Sequence, residues 1–240
     1  MFVAAMIGAP MTAGQDVTTE FTVEGDRMTL TVDASGPIRL PRVYAAIRDA
    51  VVVTPGGDRK SISIHPETDH WAIRDDVPNG GTVEITFDST PSVQPITVQP
   101  RGDHGIWIGA NAGVPHGEKL RFEPQPHKNC IGYWTVADDY VDFAFRSDRG
   151  GRFNVGILMG SGVGQGGRAI VTIYRGDEVV DSIAFEAEPT GHFQNFIWRH
   201  IGTIDLPDTG EYTVRIAAKK INHKALMDVR ALHINPRPID

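Results

Sequence analysis

Hydrophobic and polar residues alternate with a period of two along most of the chain. Clear examples are Arg27–Asp33, Gly81–Asp88, Tyr140–Phe145 and Arg152–Met159. Such alternation is typical of half-buried β-strands, and turn residues such as Gly, Pro, Asn and Asp separate the segments. Arg42–Val53 is compatible with a short helix, but its β-branched end favours a strand. The pattern predicts an all-β protein without long helices.

A Pro-rich segment over residues 89–105 divides the predicted strands into two groups. Proline removes ladder donors and favours extended or turn backbone. We therefore predict two β-sandwich modules, a small antiparallel domain over residues 17–103 and a jelly-roll domain over residues 104–240. Seven or eight alternating strands in the second half suit a jelly roll. Pro95–Val98 remains open as a last strand of the first module.

An apolar run, Phe2–Pro10, opens the chain and is followed by small and polar residues. This order predicts a signal peptide over residues 1–16, and hence a secreted, periplasmic or cell-surface protein. No Lys or Arg precedes the run, so an edge strand or a disordered terminus is the alternative. No other apolar run approaches the roughly 18 residues that a transmembrane helix needs, so we predict none.

Charge and cysteine content exclude several classes of partner and cofactor. The formal net charge of -7 leaves no basic excess for phosphate contacts, which excludes nucleic acid as the expected partner. Cys130 is the single cysteine, so an intrachain disulfide or a Cys-rich metal site is impossible. Gly162–Gly167 fits the pattern G-x-G-x-x-G, but it precedes the predicted strand Ala169–Tyr174 instead of a helix. No nucleotide cofactor is therefore expected.

Several ordered blocks in the second half form a recognisable series. They are Leu120–Trp134, Asp138–Phe143, Asp148–Phe153, Thr190–Phe196, Ile201–Pro207 and Ala225–Arg230. Together they resemble the galactose-binding-like β-sandwich appended to bacterial sulfatases and glycosidases, a relative of the family 6 and family 35 carbohydrate-binding modules. In the first half, Gly25–Leu30, Ile38–Pro41 and Trp71–Arg74 resemble the small C-terminal β-domain of bacterial α-L-fucosidases.

The resemblance implies a structural Ca²⁺ site in the second module. By position, its ligands would be Glu123 in an early strand and Asp228 in the last strand. Calcium takes six to eight oxygen ligands, so two carboxylates, backbone carbonyls and water would suffice. The alternative is that each residue is an ordinary surface or salt-bridged carboxylate.

Sugar sites need flat aromatic faces for stacking and planar polar groups for the hydroxyls. Gly191–Trp198 is predicted to be a loop rich in aromatics and amides, which suits such a site. Trp134 has a strong alternative as a core residue. The candidate ligand-binding residues are Trp107, Tyr133, Trp134, His192, Phe193, Asn195 and Trp198.

Three functions follow from these patterns. The first is an exported, non-catalytic protein that binds a glycan or polysaccharide and works beside a partner enzyme. The second is an α-L-fucosidase-like accessory protein or a glycan-active enzyme, although the fucosidase barrel would need about 250 residues with many helices. The third is a structural or interaction domain of the cell surface without a sugar ligand.

Overall fold

Strands make up most of the described chain. The computed structural model describes residues 21–33 and 37–237, together with the backbone of Phe2–Ala4 and Val17–Thr18. Within those residues the one helical element is a single 3₁₀ turn, Ala110–Ala112. The prediction of an all-β protein is confirmed. None of the described residues forms a helix that is long and apolar enough to span a membrane.

The first compact unit comprises Met1–Gln94 and Pro124–Pro126. Its strands are β1 (Phe2–Ala4), β2 (Val17–Thr18), β3 (Phe21–Glu24), β4 (Arg27–Thr31), β5 (Ile38–Pro41), β6 (Ile47–Val53), β7 (Arg59–Ser61), β8 (Ile64–Pro66), β9 (His70–Ile73) and β10 (Thr82–Phe87). One sheet has the order β1-β3-β4-β10-β6-β7, and the other has the order β2-β5-β9-β8. The rings of Trp71 and Phe87 stack between the two sheets, 6.3 Å apart, and both are fully buried.

Two sequence predictions concern this unit. The ambiguous segment contains strand β6, as its β-branched end indicates. Of the predicted signal peptide, residues 1–16, only Phe2–Ala4 is described, as a strand paired with Phe21–Val23. The rest of that segment lies outside the described residues.

The second compact unit comprises Pro95–Glu123 and His127–Asp240. It is a sandwich of two sheets. Its strands are β11 (Thr97–Val98), β12 (Ile106–Gly109), β13 (Val114–His116), β14 (Arg121–Glu123), β15 (Cys130–Gly132), β16 (Tyr140–Ser147), β17 (Gly151–Gly160), β18 (Gly167–Arg175), β19 (Glu178–Ala187), β20 (Ile197–Leu206), β21 (Gly210–Ile221) and β22 (Asp228–Pro236).

The two sheets of this sandwich are almost entirely antiparallel. One has the order β11-β16-β21-β18-β19, with β13 also paired to β16. The other, which we call the platform sheet, has the order β14-β15-β22-β17-β20, with β12 also paired to β22. Strand β11 pairs parallel with β16. The segment Pro95–Val98 therefore belongs to the second unit and does not form a last strand of the first.

The inward faces of both sheets are apolar and closely buried. Phe143, Phe145 and Ile216 line one sheet, and Ile157 and Leu232 line the other, all at 1% exposure or less. This is the arrangement that period-two alternation predicts, since successive residues of a strand point to opposite faces. The outward positions of the same strands are consequently the ones that meet solvent.

A buried carboxylate fixes the chain between β13 and β14. Asp139, 1% exposed, accepts hydrogen bonds from the backbone N–H groups of Glu118, Lys119 and Leu120 at 2.8 to 2.9 Å. Gly117 has φ +112°, and a Cβ there would lie 2.0 Å from Asp139 Oδ1. Only glycine fits this close approach, so Asp139 and Gly117 together define the turn.

Candidate functional site

Four neighbouring strands of the platform sheet bring distant residues into one row. Trp107 on β12 lies opposite His233 on β22, which lies opposite Gly156 on β17, which lies opposite His200 on β20. The residues before and after Trp107, His233 and Gly156 are fully buried. Because side chains alternate along a strand, these members of the row face outward from the sandwich.

Three aromatic rings meet on this outward face. Trp107 and Trp198 are in edge-to-face contact, with centroids 5.2 Å apart. The His233 ring lies 5.5 Å from Trp107 and 6.5 Å from Trp198. Yet Trp107 keeps 37% and Trp198 43% of its surface exposed. We call Trp107, Trp198 and His233 the aromatic platform. It presents apolar ring surface to solvent in a fixed arrangement.

Gly156 lies beneath the Trp198 indole and allows the ring to pack closely against the sheet. An ideal Cβ at Gly156 would touch two ring carbons of Trp198 at 3.6 Å, so the indole lies directly over this glycine. A methyl group would fit at that distance, whereas a longer side chain would have to displace the indole. The absence of a side chain at Gly156 therefore allows the Trp198 indole to pack directly on the backbone of β17.

Polar groups border the platform on the same face. Asn154 and Asn235 pair with each other, and each lies two residues along its strand from the pair Gly156 and His233. Neither side-chain amide has a hydrogen-bond partner among the described residues. The Arg101 guanidinium lies 5.1 Å from the Trp107 ring centroid. Amides can both donate and accept, so this border suits sugar hydroxyls.

The segment Gly191–Trp198 is only partly the loop that the sequence predicts. Strand β20 begins at Ile197, so the prediction of a loop is wrong for Trp198, which is on a strand. Both Ile197 and Trp198 are exposed, because this stretch of β20 lies at the edge of its sheet. Because two successive residues are both exposed, the start of β20 lacks the alternation of buried and exposed residues by which a strand is recognised in the sequence.

The other candidates in that segment form a self-contained turn. His192 Nδ1 accepts a hydrogen bond from the Gln194 backbone N–H at 3.1 Å, and the Asn195 amide donates to the Thr190 carbonyl. The Phe193 ring packs against Gly162, where a Cβ would lie 2.9 Å from it. These three residues maintain the turn, and none of their contacts joins them to the aromatic platform.

Tyr133 and Trp134 have different environments although they are adjacent. Tyr133 is 47% exposed with φ +60°, and the Arg121 guanidinium covers one ring face at 3.5 Å. Trp134 is fully buried, and its indole N–H donates to the Asp139 carbonyl at 3.1 Å. Trp134 is therefore a core residue, as its alternative interpretation states, and offers no face to a ligand.

The two predicted calcium ligands lie together at the other end of the platform sheet. Glu123 on β14, Cys130 on β15 and Asp228 on β22 are all buried, and each offers one ligand atom within 4.8 Å of the others. Gly132 makes room for them, since a Cβ there would lie 2.5 Å from Glu123 Oε2. Three side chains are thus positioned where they could hold a metal ion.

The donor set does not fit calcium. The Lys128 ammonium pairs with Glu123 Oε1. The Cys130 thiol lies 3.8 Å from Glu123 Oε2 and 3.7 Å from Asp228 Oδ2. Calcium prefers six to eight hard oxygens, and a thiol is a soft ligand. The ammonium therefore engages one oxygen of Glu123, and the thiol stands between the two carboxylates where a calcium ion would need a hard oxygen ligand.

Burial and neighbouring charges shift the pKa values of three side chains in this cluster. Burial, together with the charge of Glu123, raises the pKa of Asp228 to about 7. Burial also raises the pKa of the Cys130 thiol, which stays neutral. Burial opposes the charge on Lys128, but the hydrogen bond to Glu123 and the charge of that carboxylate together outweigh burial and raise the lysine pKa.

Sequence reasoning missed several residues of the platform and of the cluster. His233 and Asn235 lie on strand β22, where the alternation of side chains places both on the outward face. The pairing of β12 with β22 gives them their role, and no local signal reveals it. Lys128 and Cys130 likewise acquire their partners only through the fold.

Comparisons with known proteins find matches among solved structures. No protein-family model matches the chain, and no curated protein does. Among solved structures, an α-L-fucosidase from Vibrio sp. strain EJY3 matches 88% of this chain and 38% of its own, at 12% identity and a TM-score of 0.38. The C-terminal family 6 carbohydrate-binding module of a marine laminarinase from Zobellia galactanivorans matches 55% of this chain and 98% of the module, at 16% identity and a TM-score of 0.42.

A third match is a family 35 carbohydrate-binding module from Clostridium thermocellum. It covers 55% of this chain and 98% of the module, at 13% identity and a TM-score of 0.40. The chain spans only 38% of the fucosidase. At these identities and TM-scores the matches carry no argument about the ligand. The sheets of the second unit themselves form a β-sandwich, as the sequence predicts.

Proposed function

We propose that this protein binds a polysaccharide on the outward face of the platform sheet. The observation that carries the proposal is the aromatic platform itself, in which Trp107 and Trp198 are held in contact and remain 37% and 43% exposed. Large aromatic side chains are usually much more buried than this. Exposed clusters of them, bordered by polar groups, mark binding surfaces.

The platform supplies both parts of a sugar site. Indole faces stack against the C–H faces of pyranose rings and bury apolar surface on both partners. The amides of Asn154 and Asn235 and the imidazole of His233 lie beside the rings, where they can orient hydroxyl groups. Stacking would give most of the affinity, and the polar groups would select among sugars.

The proposal includes export, absence of catalysis and action beside a partner enzyme. Aromatic rings presented on the outward face of a sheet suit retention on a polymer better than bond cleavage. A glycan-active enzyme is the competing function. It predicts that the purified protein releases new reducing ends from the polysaccharide that it binds, whereas a binding module leaves the polymer intact.

Gly156 provides a test that removes no aromatic side chain. We expect the variant G156L to displace the Trp198 indole and to lose roughly tenfold or more in affinity, which corresponds to about 1.4 kcal/mol. G156A is the matched control, because its methyl group meets the indole at an ordinary 3.6 Å. Affinity electrophoresis in gels that contain single polysaccharides measures both variants against the parent chain. Equal retardation of all three proteins would contradict the proposed site.

A further inference from the structure

Lys128 lies in the turn between β14 and β15 and pairs with a buried carboxylate. Its ammonium contacts Glu123, whose side chain is only 5% exposed, while the lysine side chain itself is 27% exposed. The lysine thus reaches from the surface into the buried cluster of Glu123, Cys130 and Asp228. Two buried carboxylates without a counterion would repel each other and destabilise the sandwich.

Hydrogen bonds from Arg230 hold the backbone at Lys128 in position. The Arg230 guanidinium on β22 donates to the carbonyls of His127 and Lys128 at 3.0 Å each. The same guanidinium stacks on the Phe196 ring at 3.8 Å. The turn before β15 is therefore tied to the strand that carries Asp228, and the lysine is aimed at the carboxylates by a defined set of contacts.

We infer that Lys128 is a built-in replacement for a metal ion at this end of the sandwich. Its ammonium supplies the positive charge that Glu123 and Asp228 require, and Cys130 fills the remaining space with a neutral thiol. The folded protein consequently needs no calcium for stability. This inference is independent of the proposed glycan platform.

The first test compares thermal unfolding of the full chain in CaCl₂ and in EDTA, with calcium titration calorimetry on the same protein. We expect the same Tm in both buffers and no binding heat. A Tm that rises with calcium, or a saturable heat of calcium binding, would overturn the inference.

The second test removes the charge. We expect the variant K128M to melt roughly 5 °C or more below the parent chain, because Glu123 loses its counterion. The double variant E123Q/K128M should recover most of that loss, since it also removes the buried charge of Glu123. K224M, at an exposed lysine of the same sandwich, is the control and should melt like the parent chain.

Two outcomes of this second test contradict the inference. A parental Tm for K128M would show that the ammonium is dispensable, and a double variant no more stable than K128M would show that charge pairing is not the reason. If K128M fails to fold, the comparison of E123Q/K128M with the parent chain and the calcium measurements still decide the question.

Discussion

Replacing either tryptophan of the aromatic platform with alanine is expected to reduce polysaccharide affinity about tenfold or more, and replacing both should abolish measurable binding. Each ring provides a stacking surface, and interface aromatics of this kind often contribute about 2 kcal/mol or more. Trp107 and Trp198 also support each other through their 5.2 Å contact, so the losses should not be additive. Affinity electrophoresis and calorimetry with the retained polysaccharide would measure the effect.

The control for these variants is I197A. Ile197 precedes Trp198 on β20, is 37% exposed and points to the opposite side of the strand. It therefore tests loss of exposed apolar surface without loss of the platform. Retention of W107A and W198A equal to that of I197A would refute the platform as the binding surface. Because both indoles are substantially exposed, the single variants should melt close to the parent chain.

The largest stability effect is expected for the variant D139A. It removes the acceptor of three backbone hydrogen bonds, from Glu118, Lys119 and Leu120. Each buried donor left unsatisfied costs about 1–3 kcal/mol, although water can reach part of this turn. We expect a loss of roughly 4 kcal/mol, or a Tm about 10 °C lower for the second unit. Differential scanning calorimetry would detect the change.

The neighbouring D138A removes the same charge from an exposed position and should change the Tm by no more than about 2 °C. A D139A variant that melts with D138A would mean that the three backbone bonds contribute nothing to stability. Loss of stability in D139A without loss of polysaccharide binding below its Tm would agree with a purely structural role for this carboxylate.

Much of the fold follows from local pattern. The alternation in Tyr140–Phe145 and Arg152–Met159 predicts strands β16 and β17 because both strands have one buried and one solvated face. The same rule fails for β20, where Ile197 and Trp198 are both exposed at a sheet edge. The prolines around β11 leave its place open from sequence alone, and in the structure β11 pairs with β16 of the second unit.

The sites were harder to predict, because their residues meet only through long-range pairing. Residue type alone points to Trp107 and Trp198, but their contact depends on the positions of β12, β22, β17 and β20 in one sheet. Glu123 and Asp228 were identified from the resemblance, and they do lie together. The resemblance did not reveal that Lys128 and Cys130 surround them.

The most direct test of the glycan platform uses the four tryptophans as separate probes. Trp71 and Trp134 are fully buried, and Trp107 and Trp198 lie on the platform. Their four indole N–H signals in a nitrogen–proton correlation spectrum can be assigned with single Trp→Phe variants. During titration with an oligosaccharide of the bound polymer, we expect the signals of Trp107 and Trp198 to move and those of Trp71 and Trp134 to stay. Binding that leaves the Trp107 and Trp198 signals unchanged would contradict the account.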